Sequence, residues 1–138
     1  MVESPLTDMT IQIKNGYLAG KKIVELPFSK VNQELAKIFL KEGYLANVEI
    51  KKTKLSPKKK SAEVKIIKVG LKYEGKKPVL EGAKIISKPS LKVYVKKGNI
   101  PYILGGRGLV VLSTPKGLMT GREARQKGLG GEIICEVW

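Results

Sequence analysis

Residues 109–120 read LVVLSTPKGLMT. The apolar run from Leu109 to Ser113 is typical of a buried strand, and residues 114–117 follow it with a hydroxyl, a rigid proline, a cation and a glycine. Thr120 stands three residues before Glu123, which is the spacing of a helix capping box. This stretch predicts a strand, a firmly held polar loop and then a short helix that ends at Gly128.

The residues on both sides of this stretch extend a β-rich unit. Glu132 to Trp138 alternates between apolar and polar residues and predicts a final strand. Upstream, Val79 to Ser87 and Leu91 to Val95 predict two more strands, and residues 98–106 a short irregular connection. The polar turn at residues 76–78 marks the expected domain boundary. We therefore expect residues 76–138 to form a mostly β unit with one short helix.

Residues 1–75 are predicted to form an α-β-α-β-β unit, so that the whole chain has an α+β fold. Ser4-Pro5 can begin a helix that ends near Gly20, because proline is favoured at the first helical position. Lys22 to Leu26 predicts a strand, and Ser29 can cap a second helix that ends at Gly43. The second helix is expected to carry its apolar residues on one face: Val31, Leu35, Ile38 and Phe39.

Two further strands are predicted around a strongly basic insert. Residues 51–60 contain six lysines and little apolar content. The insert is expected to be a mobile hairpin tip, either solvated or in nonspecific contact with phosphates. An apolar period of two predicts the strands on either side of it, from Val48, Ile50, Val64, Ile66 and Val69.

The charge of the chain indicates a polyanionic partner. Lys and Arg together number 27 and Asp and Glu 12, which leaves a formal charge of +15. Phosphate backbones and anionic lipids would both attract such a chain. We find no apolar run near the roughly 20 residues of a membrane span and no signal-peptide pattern at the N-terminus. A cytoplasmic location is therefore expected.

The residue types present argue against an enzyme. The chain has no His, which removes the commonest general base and most zinc sites. No paired carboxylates are evident, so we expect no catalytic residue, no metal site and no cofactor. Cys135 is the single cysteine and excludes an internal disulfide. It lies in an apolar run and is expected to be buried.

Four turns could carry function, and each has an ordinary structural alternative. Gly105 to Gly108 resembles a phosphate loop only weakly, since a strand follows it. The loop at 113–117 and the turn at Ser87 can hydrogen-bond irregular RNA or be polar turns alone. Tyr94 is expected to alternate away from Val93 and Val95, where it could stack on a base or simply pack. The glycines at 128–131 imply a close backbone approach, either to RNA or to the turn after Leu112.

Several ordered motifs together resemble the bacterial ribosomal protein S8 family. They are Leu112 to Thr120, then Arg122-Glu123-Ala124-Arg125, and Gly130 to Trp138. Upstream support comes from Ile86-Ser87-Lys88-Pro89 with Val93-Tyr94, and from Asp8-Met9 with Ile13-Lys14-Asn15. The resemblance spans essentially the whole chain in order.

The resemblance implies a two-domain structural protein of the small ribosomal subunit. Such a protein binds the central domain of 16S rRNA and organises the platform during 30S assembly. Its partners would include neighbouring ribosomal proteins, notably number five, and its own operon mRNA. Residues 76–138 would be the primary rRNA-binding domain, and residues 1–75 would contact a second rRNA helix through Lys14 and Asn15. The RNA-binding positions carried over in the C-terminal domain are Ser87, Lys88, Pro89, Tyr94, Ser113, Thr114, Pro115, Lys116, Gly117, Gly130, Gly131 and Glu132.

Three positions depart from the family pattern. Pro115 stands where the family usually has Ser, Ser90 where Gly is usual and Gly121 where Asp is usual. Two alternatives to the rRNA-binding hypothesis stay open on sequence grounds. One is a nonspecific basic nucleic-acid-binding protein; the other is an RNA-modifying enzyme that uses Lys116 and the Gly105 to Gly108 turn.

Overall fold

A computed structural model describes residues 5–54, 63–88, 90–102 and 108–138. The chain divides into two units by its internal contacts. Unit 1 combines the N-terminal residues up to Lys14 with Leu80–Trp138, and unit 2 is Asn15–Val79. The first part of the N-terminal helix therefore groups with the C-terminal residues. The functional division into residues 1–75 and 76–138 stays a prediction.

Unit 2 is built on a three-stranded antiparallel sheet. Helix α1 (Pro5–Leu18) ends in this unit, and helix α2 (Lys30–Lys41) belongs to it entirely. The strands are β1 (Ile23–Pro27), β2 (Asn47–Lys54) and β3 (Glu63–Gly70), in the spatial order β1-β3-β2. A small hairpin of β4 (Tyr73–Glu74) and β5 (Lys77–Pro78) completes the unit. The order α-β-α-β-β was predicted, whereas this hairpin was not.

Helix α2 begins where the sequence predicts. The Ser29 hydroxyl accepts a hydrogen bond from the Asn32 backbone N–H at 3.1 Å, and Gly43 follows the helix with a φ of 85°. The apolar face is shifted from the prediction, because Val31 is 39% exposed while Leu35 and Phe39 are fully buried. Asn32 occupies the inner position instead and donates to the Pro27 carbonyl at 3.1 Å.

The phase of the alternation in β3 also differs from the prediction. Ile67 and Val69 are fully buried and face inward, whereas Ile66 lies on the opposite side of the strand and is only partly buried. In β2, Ile50 is 39% exposed. Lys51 and Lys52 of the basic insert belong to β2 and are exposed, and residues 55–62 lie outside the described part.

Unit 1 is built on a five-stranded antiparallel sheet. Its strands are β6 (Ala83–Ile85), β7 (Tyr94–Val95), β8 (Leu109–Thr114), β9 (Gly117–Thr120) and β10 (Gly131–Val137). The order is β6-β10-β8-β9, and β7 pairs with β10 beyond the end of β6. A 3-10 helix (Lys97–Asn99) and helix α3 (Gly121–Lys127) complete the unit. Thr120 caps α3 as predicted, by accepting from the Glu123 N–H at 3.1 Å.

Three strand predictions in unit 1 are corrected by the structure. The predicted strands 79–87 and 91–95 are reduced to β6 and β7, because the chain between them leaves the sheet and is held by side-chain bonds. The loop after Ser113 is a tight hairpin turn into β9, a strand that the sequence did not predict. Strand β10 does not alternate: Ile133, Ile134 and Cys135 are all buried, since its pairing with β8 shifts between Ile133 and Cys135.

Both faces of the unit 1 sheet are covered near its centre. On one face, α3 and the 3-10 helix pack over a core of Ile100, Val110, Leu112, Met119, Ala124 and Ile133. On the other, the Thr10 hydroxyl of α1 lies 3.9 Å from the buried sulfur of Cys135. A sheet packed in this way gives the turns at its end a rigid base.

Candidate nucleic-acid interface

The turn between β8 and β9 is held by the side chain of Thr114. Thr114 is 8% exposed, and its hydroxyl donates to the Gly117 carbonyl at 2.8 Å. The same oxygen accepts from the Lys116 N–H at 3.2 Å. Gly117 has a φ of 109°, which favours glycine. Pro115, Lys116 and Gly117 are exposed, so the turn presents a cation from a fixed backbone.

Ser87 plays the same part in the segment between β6 and β7. Ser87 is 7% exposed; its hydroxyl accepts from the Val93 N–H at 3.0 Å and donates to the Val93 carbonyl at 3.5 Å. Lys88 and Leu91 then exchange two backbone hydrogen bonds, of 2.9 and 3.0 Å, and both residues are exposed. Pro89 lies outside the described residues. The buried Ser87 hydroxyl therefore holds the two ends of the segment together, and Lys88 lies on the exposed side of the segment.

Gly130 and Gly131 approach the neighbouring strands of the same unit. A Cβ on Gly130 would overlap the carbonyl oxygen of Val95, and one on Gly131 would overlap that of Ser113. Both obstacles are backbone atoms, which cannot rotate away. The close approach expected from the sequence is therefore made to the protein itself, near the turn after Leu112.

The pairing of three strands places Tyr94, Glu132 and Ser113 side by side. Glu132 lies opposite Tyr94 in β7 and opposite Ser113 in β8. Directly paired residues project to the same face of a sheet, and strands are about 4.8 Å apart, so the three side chains form a row about 10 Å wide. We call these three residues the sheet-end row. Tyr94 is 66% exposed, which confirms the expected exposure of its ring.

Lys14, one of the two predicted positions in helix α1, lies apart from this row. Lys14 is half-buried, and its ammonium lies 3.4 Å from the Ala83 carbonyl oxygen. Ala83 pairs with Val137, five residues along β10 from Glu132 and so about 16 Å away. Asn15 is exposed and belongs to unit 2. The structure thus gathers the three C-terminal turns and leaves Lys14 outside that cluster.

Exposed basic residues lie in the two turns and next to β7 in the chain: Lys88, Lys92, Lys96, Lys97 and Lys116. Arg122 and Lys127 are exposed on α3. Cations that flank a row of hydrogen-bonding groups and an aromatic ring suit a phosphate backbone with accessible bases.

The site offers no evident catalytic chemistry. Burial raises the pKa of the Cys135 thiol to about 12, although the Thr10 hydroxyl lowers it somewhat. The thiol is therefore protonated at neutral pH and a poor nucleophile. Among the residues described, no three His, Cys, Asp or Glu side chains come together as metal ligands. Residues 105–107 of the weak glycine-loop hypothesis lie outside the described part.

One contact in this unit was not found from the sequence. The Arg125 guanidinium carbon lies 3.7 Å from the ring centroid of Tyr102, and Tyr102 is 69% exposed. Arg125 belongs to one of the family motifs, and Tyr102 lies in the connection that the sequence predicts to be irregular. The signal in the sequence for this contact was an aromatic residue that follows Pro101 and several lysines.

These features define a class of protein: a basic α+β protein that presents lysines and polar groups on rigid turns at the end of a β-sheet. Comparison with known proteins then gives the family. The family model described as Ribosomal protein S8 matches residues 4–138. The chain belongs to the ribosomal protein S8 family.

Curated relatives support this assignment over the full chain. Small ribosomal subunit protein uS8 of Clostridium novyi is 42% identical over 138 residues, which cover 100% of this chain and 99% of the relative. The uS8 protein of Dictyoglomus turgidum is 43% identical, with 99% and 98% covered. That of Dehalococcoides mccartyi is 42% identical, with both chains fully covered.

Membership of the family establishes the general function of the protein. The protein is a structural constituent of the small ribosomal subunit, not an enzyme, and its partners are rRNA and other ribosomal proteins. The family does not favour either alternative, the nonspecific binder or the RNA-modifying enzyme. In the part of the chain that the structure describes, no helix is long and apolar enough to cross a membrane.

Proposed function

We propose that unit 1 binds the central domain of 16S rRNA through the sheet-end row and the turns at Lys88 and Lys116, and that this binding organises the platform during 30S assembly. The observation that carries the proposal is the row itself. A ring, a carboxylate and a hydroxyl lie side by side on a rigid sheet, and exposed lysines flank them.

The predicted site residues divide into two kinds of role. Ser113, Tyr94, Lys88 and Lys116 are exposed or half-buried and are proposed to touch RNA directly. The hydroxyls of Ser87 and Thr114 are buried and hold the two turns, so they act on RNA by positioning their neighbours. Turns that are already ordered lose little conformational entropy on binding, which raises affinity. Pro89, Pro115, Gly117, Gly130, Gly131 and Glu132 stay predicted contacts of the same surface.

The shape of the row favours irregular RNA over a regular duplex. The major groove of A-form RNA is too deep and narrow for side chains to read, whereas bulges and internal loops expose base edges and 2′-hydroxyls. The Tyr94 ring can stack on an unpaired base, the Ser113 hydroxyl can donate to or accept from a 2′-hydroxyl, and the Glu132 carboxylate can accept from base amino groups. A bent RNA helix with unpaired bases presents all three partners together.

The experiment that tests the proposal is footprinting of the protein on whole 16S rRNA at moderate salt, with and without an excess of unrelated RNA. We expect one compact protected helix in the central domain that survives the competitor, because purely electrostatic binding does not survive it. Protection spread along the rRNA, or lost to the competitor, would refute the proposal.

Two single variants then test the site. Ser113→Ala is expected to weaken binding by about tenfold, the effect of one hydrogen bond of about 1.4 kcal/mol. Lys116→Gln is expected to weaken cognate and unrelated RNA alike and to reduce the salt slope by about one unit. Lys37→Gln is the matched control, since Lys37 is an exposed lysine on α2 in unit 2. Equal effects of the two lysine substitutions would contradict the site.

The remaining partners are proposed from the family resemblance. Residues 1–75 would contact a second rRNA helix through Lys14 and Asn15, ribosomal protein number five would pack alongside, and the operon mRNA would compete for unit 1. Asn15 is exposed, which supports its part of the proposal. Competition between a 16S fragment and the operon mRNA tests the last point. Simultaneous binding of both RNAs would exclude a shared site.

A further inference from the structure

Tyr102 and Arg125 form a stacked pair in unit 1 that the sheet-end row does not include. The Arg125 guanidinium carbon lies 3.7 Å from the centre of the Tyr102 ring. Arg125 is fixed from below, because its Nη2 donates to the Pro101 carbonyl at 2.9 Å. The guanidinium therefore covers one face of the ring and is itself held in place.

The other face of the ring is available to a ligand. Tyr102 is 69% exposed although one face is covered by Arg125. Among the described aromatic residues only Tyr94 and Tyr102 are exposed, and both belong to unit 1. A large ring in water gains by covering its open face, so an exposed, immobilised ring in a basic unit is a suitable platform for a flat partner.

The two exposed tyrosines lie on different sides of the sheet. Val93 and Val95 pack against the core under α3, so Tyr94 between them projects to the opposite face. Tyr102 contacts Arg125 of α3 and therefore lies on the α3 side. A base that stacks on Tyr102 is thus a different base from any that stacks on Tyr94.

The surroundings of the pair favour a nucleic-acid ligand. Lys96 and Lys97 precede it along the chain, and Arg122 and Lys127 lie on the same helix as Arg125; all four are exposed. Phosphates beside a stacked base would meet these cations. The Arg125 guanidinium is held by the hydrogen bond from its Nη2 to the Pro101 carbonyl and by the contact with the ring. Within the described part of the chain, its buried Nε has no hydrogen-bond partner.

We propose that the open face of Tyr102, backed by Arg125, is a second RNA contact that stacks one unpaired nucleobase outside the region bound by the sheet-end row. This inference rests on the proposed rRNA-binding function and deepens it. The planar guanidinium fixes the orientation of the ring, so that a base adds to an arginine–tyrosine stack already in place.

The test compares variants by their affinity for a 16S rRNA central-domain fragment. Tyr102→Ala is expected to weaken binding by about fivefold or more, the lower end of what one stacked base contributes. Tyr102→Phe keeps the ring and is expected to bind within about twofold of the original protein. Leu18→Ala is the matched control, because Leu18 is 74% exposed and lies in unit 2. Melting temperatures of all variants separate a lost contact from a lost fold.

A second measurement uses the unmodified protein. The complex with the unmodified fragment is irradiated with short-wavelength ultraviolet light, which can cross-link any of the four bases to a stacked tyrosine, and the cross-linked peptide is identified by mass spectrometry. An adduct on Tyr102 supports the inference; a bound complex with adducts elsewhere and none on Tyr102 overturns it. If the unmodified protein binds the fragment and Tyr102→Ala binds equally well, only this inference fails. If the unmodified protein does not bind the fragment, the proposed function fails with it.

Discussion

Replacing Thr114 by Val tests whether one buried hydroxyl fixes the turn that presents Lys116. Valine has nearly the shape of threonine, so the substitution removes the hydroxyl without opening a cavity. Two hydrogen bonds are lost, one to the Gly117 carbonyl at 2.8 Å and one from the Lys116 N–H at 3.2 Å. The core side of the turn is otherwise unchanged.

The expected cost follows from those two bonds. Each contributes about 0.5–1.5 kcal/mol net, which gives about 1–3 kcal/mol together. Lys116 and Gly117 are exposed, so their freed backbone groups reach water and the lower half of that range applies. In a unit of this size, 1 kcal/mol lowers Tm by about 4–8 °C. If one turn residue must then be reordered on RNA, at about 1–2 kcal/mol, affinity falls by about tenfold.

The assay pairs thermal unfolding, followed by circular dichroism, with titration of a 16S rRNA central-domain fragment. Thr114→Ser is the control, because it keeps the hydroxyl, and it should bind within about twofold of the original protein. A Thr114→Val protein that melts and binds as the original does would refute the claim that this hydroxyl holds the turn.

Three further substitutions test the packing of unit 1 and the helix cap in unit 2. Gly131→Ala forces a Cβ against the Ser113 carbonyl, so it should destabilise unit 1 by about 1–3 kcal/mol in denaturant unfolding and weaken RNA binding. An unchanged unfolding midpoint would show that β8 and β10 can move apart to accept the Cβ at no cost in stability. Cys135 should resist iodoacetamide at pH 8 until the protein is unfolded. Its folded pKa is raised from 9.0 to about 12, so the stability it contributes is present below pH 9 and is lost as pH rises toward 12. Cys135→Ala should remove that part of the alkaline decline, and an identical decline in both proteins would contradict it. Ser29→Ala removes the bond from the Asn32 N–H and should cost about 1 kcal/mol; a Ser29→Gly protein should lose less, and equal loss in both would count against the cap.

Local features of the chain were predictable because their causes lie within a few residues. The Ser29 and Thr120 hydroxyls each accept from an N–H three residues later. Ser29 is predicted as a cap from its residue type before an apolar helical pattern, and Thr120 from its capping-box spacing to Glu123. The glycine after α2 and the one after α3 were predicted as stops, and both have positive φ. The exposure of Tyr94 followed from strand alternation. The charge indicated a polyanionic partner and the ordered motifs indicated the family, because these are properties of composition and residue order.

Other features depended on partners distant in the sequence. Strand β9 is short and ordinary by itself, and it exists because it pairs with β8. The bulge in β10 arises from its register against β8, so three consecutive residues are buried where alternation predicted otherwise. The hydroxyls of Ser87 and Thr114 are predicted RNA contacts, and only the folded chain shows that both are buried and bonded to the backbone of their own turns.

The sequence was sufficient for the helix caps, the basic character of the chain and the motifs that place it in its family. The row of Tyr94, Glu132 and Ser113 and the stack of Tyr102 on Arg125 could be found only in the tertiary structure. Capping and periodicity act over three or four residues of one segment. Contact between segments far apart in the chain is set by strand register and helix packing, which the whole core decides together.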